Sequence, residues 1–357
     1  MRVAHVISQT GTYGGERFVP ALVQAERAAG IDACIVTGCS RKRIFALAQT
    51  LRDLRPDIVH THLAHAKYWG RIAAILAGVP HIVHTEHGND FRAPLPLRAI
   101  GRALQFRTDR IVALTRAQAA RIARYERIPL EKIAIVANGI ELGTLQSAGS
   151  GAARAELGGT DGGRIVLAVG RLDAVKRYDR AIESLALLPR SANVHLSIAG
   201  DGRERSRLAR IAAERGVGDR VHLLGYRDDV PALLGAADVV LNTSESEAMP
   251  LSLIEALCSG VRVVTTPWPG AIEIFAADAA VVPDFQPQSI AVALETALDA
   301  GALPAQRVSA LRERFSIDRA AASYAAVYAE LDDRVRGHGS VGPGVPCRRC
   351  RRTIGSS

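Results

Sequence analysis

The sequence predicts an α/β protein built from two open, parallel-stranded domains that face each other across a cleft. Three observations predict it. Short apolar runs alternate with amphipathic stretches almost from end to end, the pattern of parallel strands covered by helices. The 357 residues suffice for two domains at about 150 residues each. A stretch rich in Gly, Ser, Ala and Thr, Leu142 to Gly163, separates two sets of runs and reads as the hinge.

In the first set the expected strands are Arg2 to Ser8, Ala33 to Thr37, Ile58 to His62, His81 to Glu86, Arg110 to Leu114 and Ile133 to Val136. The second set holds Arg164 to Val169, Val194 to Ala199, Val221 to Leu224, Val239 to Asn242, Arg262 to Thr266 and Ala280 to Val282. The domains are therefore expected at residues 2–145 and 160–334, with ligands at the carboxyl ends of the strands. Residues 337–357 carry no periodicity and read as a disordered tail. Cys347 and Cys350 in that tail form one CxxC with no second pair nearby; with Cys34, Cys39 and Cys258 they make an odd, irregular count that does not fit a disulfide framework.

Composition narrows the function classes. Hydrophobic residues make up 48% and charged residues 23%, which excludes wholesale disorder. There is no run of eighteen uncharged apolar residues and no apolar signal-peptide core at the start, so the expected address is cytoplasmic. The net charge of +9 is uneven: residues 1–150 carry +9, residues 151–334 carry −5, and the last 23 residues add +5. A basic first half suits phosphorylated substrates, an anionic membrane or nucleic acid. An aromatic content of 4%, with no aromatic-basic interleaving to stack bases, argues against nucleic acid.

Three segments offer chemistry. After the first strand, Gly14 and Gly15 precede a helix; they either let the backbone approach an anion at the helix start or simply form a strand-to-helix turn. Arg171 lies just past a strand end and Lys176 five residues on, a pair suited to a diphosphate or, more plainly, a solvated basic turn. Glu247 sits in a loop and Glu255 in the following helix, whose start at Pro250, Leu251 and Ser252 leaves amides for phosphate. A carboxylate there accepts two hydrogen bonds from a ribose diol, or it forms a structural ion pair. Glu255, amid Leu253, Ile254, Ala256 and Leu257, requires some partner.

Taken in order, GGE, HTEHG (His84 to Gly88), NGI (Asn138 to Ile140), VGRL followed by Lys176, IAGDG (Ile198 to Gly202) and SESEAMPLSLIEAL resemble family 4 of the retaining glycosyltransferases over Arg2 to Asp332. That resemblance implies the GT-B fold, two Rossmann-like domains with donor held mainly on the second and acceptor mainly on the first. It implies hexosyl transfer from a nucleotide-diphosphate sugar to a saccharide or lipid-linked acceptor, in cell-envelope polysaccharide or lipopolysaccharide synthesis. By the same resemblance Arg171 and Lys176 neutralise the donor diphosphate, Glu247 contacts the transferred sugar and Glu255 holds the ribose. Gly15 belongs to the loop over the phosphates, and His87 lies near the sugar. The sequence departs from the pattern at Ala248 and Met249, at Arg177 where Gly is common, and at Pro269, Gly270 and Ile272 before and beside Glu273.

Six of the ten histidines, His60, His62, His65, His81, His84 and His87, fall within 28 residues. HTH at a strand end begins a metal-hydrolase pattern, but no matching carboxylate with later histidines follows, so no metal is expected. His60 and His62 share one strand face and are read as cleft or core residues. Leu97, Ile100 and Leu104 form a helical stripe beside Arg98, Arg102 and Arg107, which suits an anionic membrane interface as well as an ordinary surface helix. The favoured reading places the protein peripherally at the inner face of the cell membrane. No Asp-x-Asp motif appears, so Arg171, Lys176 and helix amides are expected to stabilise the leaving diphosphate without a cofactor. Two other readings stand beside transfer: a GT-B sugar-nucleotide epimerase using Glu16, Glu86 or Asp90, and a catalytically idle scaffold.

Overall fold

The computed structural model describes residues 1–9, 14–88, 93–145, 151–159 and 162–337, with side chains described to residue 331. Asp90, Cys347 and Cys350 lie outside the described residues, as does the tail beyond 337.

All twelve expected strands form. The first sheet contains β1 (Arg2–Val6), β2 (Asp32–Val36), β3 (Ile58–His62), β4 (His81–Thr85), β5 (Arg110–Ala113) and β6 (Ile133–Ile135), in the order β2-β1-β3-β4-β5-β6. The second contains β7 (Arg164–Val169), β8 (Val194–Ala199), β9 (Val221–Gly225), β10 (Val239–Asn242), β11 (Arg262–Thr265) and β12 (Ala280–Val281), in the order β12-β11-β10-β7-β8-β9. Every pairing between strands is parallel. Central strands such as β3 and β10 are buried at every position because helices cover both faces. In each sheet the strand order reverses once, between β1 and β3 and between β7 and β10, and a reversal opens a crevice at the carboxyl ends.

The sequence places residues 317–334 in the second domain, but the last helix (Ile317–Gly337) returns to the first. Its Ile317, Ala320, Ala321, Tyr324, Val327, Tyr328 and Leu331 join Val3, Ile7, Phe18 and Leu22 in one core. An apolar helix face settles where it removes most surface from water, here beside the Gly15–Ala28 helix.

The crossing is made at NGI. Ile140 pairs with the chain around Ser316: its N–H donates to the Phe315 carbonyl and its carbonyl accepts from the Ile317 N–H, each at 2.9 Å. A Cβ on Gly139 would lie 2.4 Å from the Ser316 carbonyl oxygen, so only glycine permits the contact. Asn138 reaches the other way, its side-chain amide donating to the Met249 carbonyl at 2.9 Å.

The Leu97, Ile100, Leu104 stripe lies on the Leu95–Leu104 helix and faces mostly inward: Leu104 is buried and the other two are half-buried. Arg98 lies 4.9 Å over the Tyr125 ring and Arg102 donates to the Tyr125 carbonyl at 3.1 Å. The large apolar side chains left outside are its neighbours Leu95, 75% exposed, and Phe106, 91% exposed. Among the described residues no helix is long and apolar enough to cross a membrane.

Gly139→Ala is expected to destabilise the protein by about 1–3 kcal/mol, because the new methyl meets backbone that cannot turn aside. Chemical denaturation measures this; an unchanged midpoint would show that the crossing tolerates displacement.

Candidate active site

The loops after β7 and β10, on either side of the second sheet's reversal, bring together most of the sequence-predicted donor residues. Gly170 leaves β7 at φ 152°, and a Cβ there would sit 2.9 Å from the Tyr178 hydroxyl and 3.4 Å from Cε of Lys176. The IAGDG segment supports this loop from beneath: a Cβ on Gly200 would fall 1.9 Å from the Gly170 carbonyl oxygen, and one on Gly202 would fall 2.5 Å from that of Leu172. Its glycines therefore exist so that two backbones can touch.

On that platform Lys176 Nζ meets Glu247 Oε1 at 2.6 Å, with both side chains largely buried. The same oxygen accepts from Ser244 Oγ at 2.6 Å and Asn242 Nδ2 at 3.3 Å. Three donors on one oxygen fix the carboxylate in place. Arg171 is 62% exposed and touches Asp173 at 3.2 Å, which leaves its guanidinium at the mouth of the crevice. The Leu251–Cys258 helix starts after Pro250 without a side-chain cap, so the N–H groups of its first turn, which includes Ser252, point outward.

Arg177 stands in left-handed backbone at φ 49°, which explains why glycine suits that position. It adds no free charge to the crevice, for its guanidinium is bound by Asp179 at 3.0 Å and by Glu245. Arg180 also reaches Glu245, at 3.0 Å. With Glu247 held by Lys176, both carboxylates of the loop already have cationic partners.

Glu255 is buried, and burial raises its pKa above the ordinary carboxylate value while the nearby Arg17 pulls the other way. Arg17 comes from the first domain, on the turn after Gly14 and Gly15, and meets Glu255 at 2.8 Å. The ion-pair alternative thus describes the contact Glu255 makes. A second bridge runs from Glu273, whose two carboxylate oxygens accept from the Arg116 and Ala117 N–H groups at 2.8 and 3.1 Å. This carboxylate from one domain caps a helix of the other.

On the first domain, Gly14 takes φ 46°, and Gly15 packs so tightly that a Cβ would lie 3.1 Å from the His87 ring. His87 is half-buried; burial, with His84 adding to it, pushes its pKa down to about 4, so it is neutral at physiological pH. His60 and His62 are fully buried, and burial with neighbouring imidazoles holds both well below the ordinary range. His5, His60 and His62 bring ring nitrogens within 4.8 Å of one another. All six of those nitrogens already have hydrogen-bond partners, so the trio fits a satisfied core better than a cation site. Burial pushes Glu86 upward, but Lys67 at 2.7 Å and the neighbouring His84 outweigh it and hold Glu86 well below the usual carboxylate range. It stays ionised and is unsuited to act as an acid.

Sequence reading missed Arg17, Asn138, Ser244 and Glu26. Arg17 had one signal, an arginine next to the GGE motif, and Ser244 another, a hydroxyl three residues before Glu247; Asn138 and Glu26 meet their partners only through the fold.

Comparison with known proteins follows the same division. The family described as Glycosyl transferases group 1 matches residues 151–314, and Glycosyltransferase Family 4 matches residues 38–144. A D-inositol 3-phosphate glycosyltransferase of Mycolicibacterium gilvum is 33% identical over 228 residues, 58% of this chain and 50% of that protein. A UDP-Gal:alpha-D-GlcNAc-diphosphoundecaprenol alpha-1,3-galactosyltransferase of Escherichia coli is 30% identical over 240 residues, 63% of this chain and 61% of that protein. The match therefore spans about half to three fifths of these relatives. Anabaena Alr3699/HepE, solved with UDP and glucose, superposes with a TM-score of 0.77 at 18% identity, covering 92% of this chain and 100% of that one. WaaG, a glycosyltransferase involved in lipopolysaccharide biosynthesis, gives 0.64 at 21% identity, covering 95% and 100%.

Replacing Arg17 by Met leaves Glu255 buried without a counter-charge. The loss should be about 1–2 kcal/mol, less than for a fully buried pair because Arg17 is 41% exposed. Glu255 has a raised pKa in the fold, so the penalty exists only where it is ionised: Tm should drop at pH 8 and recover toward wild type as pH falls and the carboxyl takes up its proton. A drop of equal size at both ends of that range would rule out the ion pair as its cause.

Proposed function

The chain belongs to the family 4, group 1 glycosyltransferases, and from that premise we propose that it transfers a sugar from a nucleotide-diphosphate sugar to a saccharide or lipid-linked acceptor in envelope glycan synthesis, with retention of configuration. The observation that carries this reading is the meeting of Lys176 and Glu247 at the reversal between β7 and β10, beside the exposed Arg171 and the uncapped helix at Pro250.

A diphosphate entering that crevice meets two cations and a row of amides, and negative charge growing on it as the glycosidic bond breaks is stabilised by groups already in place. Lys176 then divides its contacts between the phosphate and Glu247, freeing a carboxylate edge for sugar hydroxyls. Glu255 exchanges Arg17 for the ribose diol, and Arg17, released beside the Gly14–Gly15 loop, faces the phosphates. No carboxylate stands ready as a nucleophile among these residues, so the acceptor attacks from the leaving-group side and a donor phosphate oxygen takes its proton. The cationic set stands in for a divalent metal, since Glu245 and Glu247 are both engaged by basic side chains. The epimerase reading is weakened by Glu86, which Lys67 keeps ionised.

The working surface is proposed to be an anionic bilayer, with the acceptor delivered from the membrane side to the basic first domain. Leu95 and Phe106, rather than the inward stripe, supply the apolar contact.

Two measurements test this. Turnover of a nucleotide-diphosphate sugar should survive a chelator and fall about 10²-fold or more in Lys176→Ala, the scale of losing one oxyanion stabiliser. Strict dependence on added Mg²⁺ or Mn²⁺ would overturn the metal-free assignment. In co-sedimentation the protein should bind phosphatidylglycerol vesicles at low salt, release them as salt shortens the screening length, and bind poorly as Leu95→Asp/Phe106→Asp. Indifference of the native chain to such vesicles would make a soluble acceptor the better choice.

A further inference from the structure

A line of buried hydrogen bonds runs beneath the first-domain crevice. Glu26, fully buried near the end of the Gly15–Ala28 helix, meets His5 Nε2 at 2.7 Å. His5 Nδ1 meets His62 Nε2 at 3.0 Å, and His62 Nδ1 meets His87 Nε2 at 2.9 Å. The line ends at His87 Nδ1, which lies 3.3 Å from where a Cβ on Gly15 would be, at the glycine loop.

The donors and acceptors along it are not independent. A neutral imidazole donates from one nitrogen and accepts at the other, so fixing the first ring fixes every ring after it. The Glu26 end is fixed. Its Oε1 accepts the Tyr328 hydroxyl at 3.1 Å, and burial, with Glu26 adding to it, keeps that phenol protonated. With its hydrogen committed to Glu26, Tyr328 can only accept from His60 Nδ1 at 2.6 Å, and His60 Nε2 in turn accepts the Thr85 hydroxyl at 2.7 Å. Both branches are therefore consistent with Glu26 as a carboxylate that only accepts. With His5 neutral, His5 then donates from Nε2, His62 from Nε2 and His87 from Nε2, which leaves Nδ1 of His87 bare; a doubly protonated His5 would donate from both nitrogens and reverse the two rings beyond it.

We infer that Glu26 is a positioning residue: through His5 and His62 it sets the tautomer of His87, so that a hydrogen-bond acceptor, not a donor, faces the crevice for a hydroxyl of the bound substrate. The substrate clause rests on the glycosyl-transfer reading; the tautomer clause does not. Had Glu26 been protonated and donating, every ring would reverse and His87 would present an Nδ1–H.

The tautomers can be read directly. In the full chain with ¹⁵N-labelled histidine, two-bond ¹H–¹⁵N correlations, with His87 assigned by its loss in His87→Gln, should show Nε2 protonated and Nδ1 bare. An Nδ1–H tautomer at His87 would overturn the inference without reference to any substrate. In Glu26→Met, which removes the acceptor at similar length, His87 should become a mixture of tautomers; His5→Leu serves the same purpose if that variant does not fold. An unchanged His87 in the folded variant would remove Glu26 from the assignment. With UDP-glucose as probe, kcat should fall about tenfold in Glu26→Met, the size of one neutral hydrogen bond, while UDP affinity stays within twofold. Unaltered kcat beside an altered tautomer would remove the substrate clause alone, and no turnover by the wild type would count against UDP-glucose as donor while leaving the tautomer result intact.

Discussion

The close contact between the Asn138–Ile140 turn and the chain at Ser316 is the constraint on which the rest of the molecule depends. It is where the last helix leaves the second domain, and it works only because Gly139 has no side chain to meet the Ser316 carbonyl. Three further contacts lie around it: Asn138 with Met249, Arg17 with Glu255, and Glu273 with the amides of Arg116 and Ala117. All are polar, and polar contacts between domains exchange for water or ligand far more readily than an apolar interface would. The junction therefore combines the chain's return passage between the domains at Ser316 with several exchangeable polar bonds.

Charge in the crevice is paired. Lys176 is matched by Glu247, Arg171 by Asp173 and Glu255 by Arg17. Lys176 and Arg17 keep the largely buried carboxylates of Glu247 and Glu255 from being desolvated alone, while the Arg171–Asp173 pair lies mostly in solvent. The acidic balance of residues 151–334 thus coexists with a local cluster of basic side chains around Lys176, because net charge governs long-range attraction while local pairing is decided within a few ångströms.

What the sequence made legible was whatever repeats locally. Most strands are short runs rich in apolar residues between helical patterns, and the positions of all twelve are visible as such. Motif glycines were visible too, although their reason, backbone pressed on backbone at Gly139, Gly200 and Gly202, appears only when the partner strand or loop is in place. The final helix was assigned to its neighbours in sequence, since nothing in its own apolar face says which domain it covers. Leu97, Ile100 and Leu104 gave a correct periodicity and an ambiguous direction, for a stripe facing a bilayer and one facing a core have the same spacing. Arg17, Glu26 and Asn138 meet partners 238, 302 and 111 residues away, distances at which no local pattern carries information.

Backbone strain falls where these arguments meet. Five described non-glycine residues have positive φ. Arg55 and Arg127 end helices and Asn193 ends a 3₁₀ turn, places where left-handed backbone satisfies the last carbonyls. Arg177 likewise ends the 3₁₀ turn Ala174–Lys176, its N–H donating to the Ala174 carbonyl, whereas Leu63 caps no helix end. Leu63, at φ 67°, directly follows His62 at the end of β3, and Arg177, at φ 49°, directly follows Lys176. Each adopts a conformation costing an L-residue about 1–2 kcal/mol, and each immediately follows a residue whose side-chain direction matters to the crevice. The surroundings hold both in place: Asp179 and Glu245 grip Arg177, while the Leu63 side chain closes on the space a Cβ of Gly15 would fill. Strain held in this way means that Leu63 and Arg177 cannot relax into the commoner backbone shape without giving up those contacts, which fixes the backbone next to His62 and Lys176.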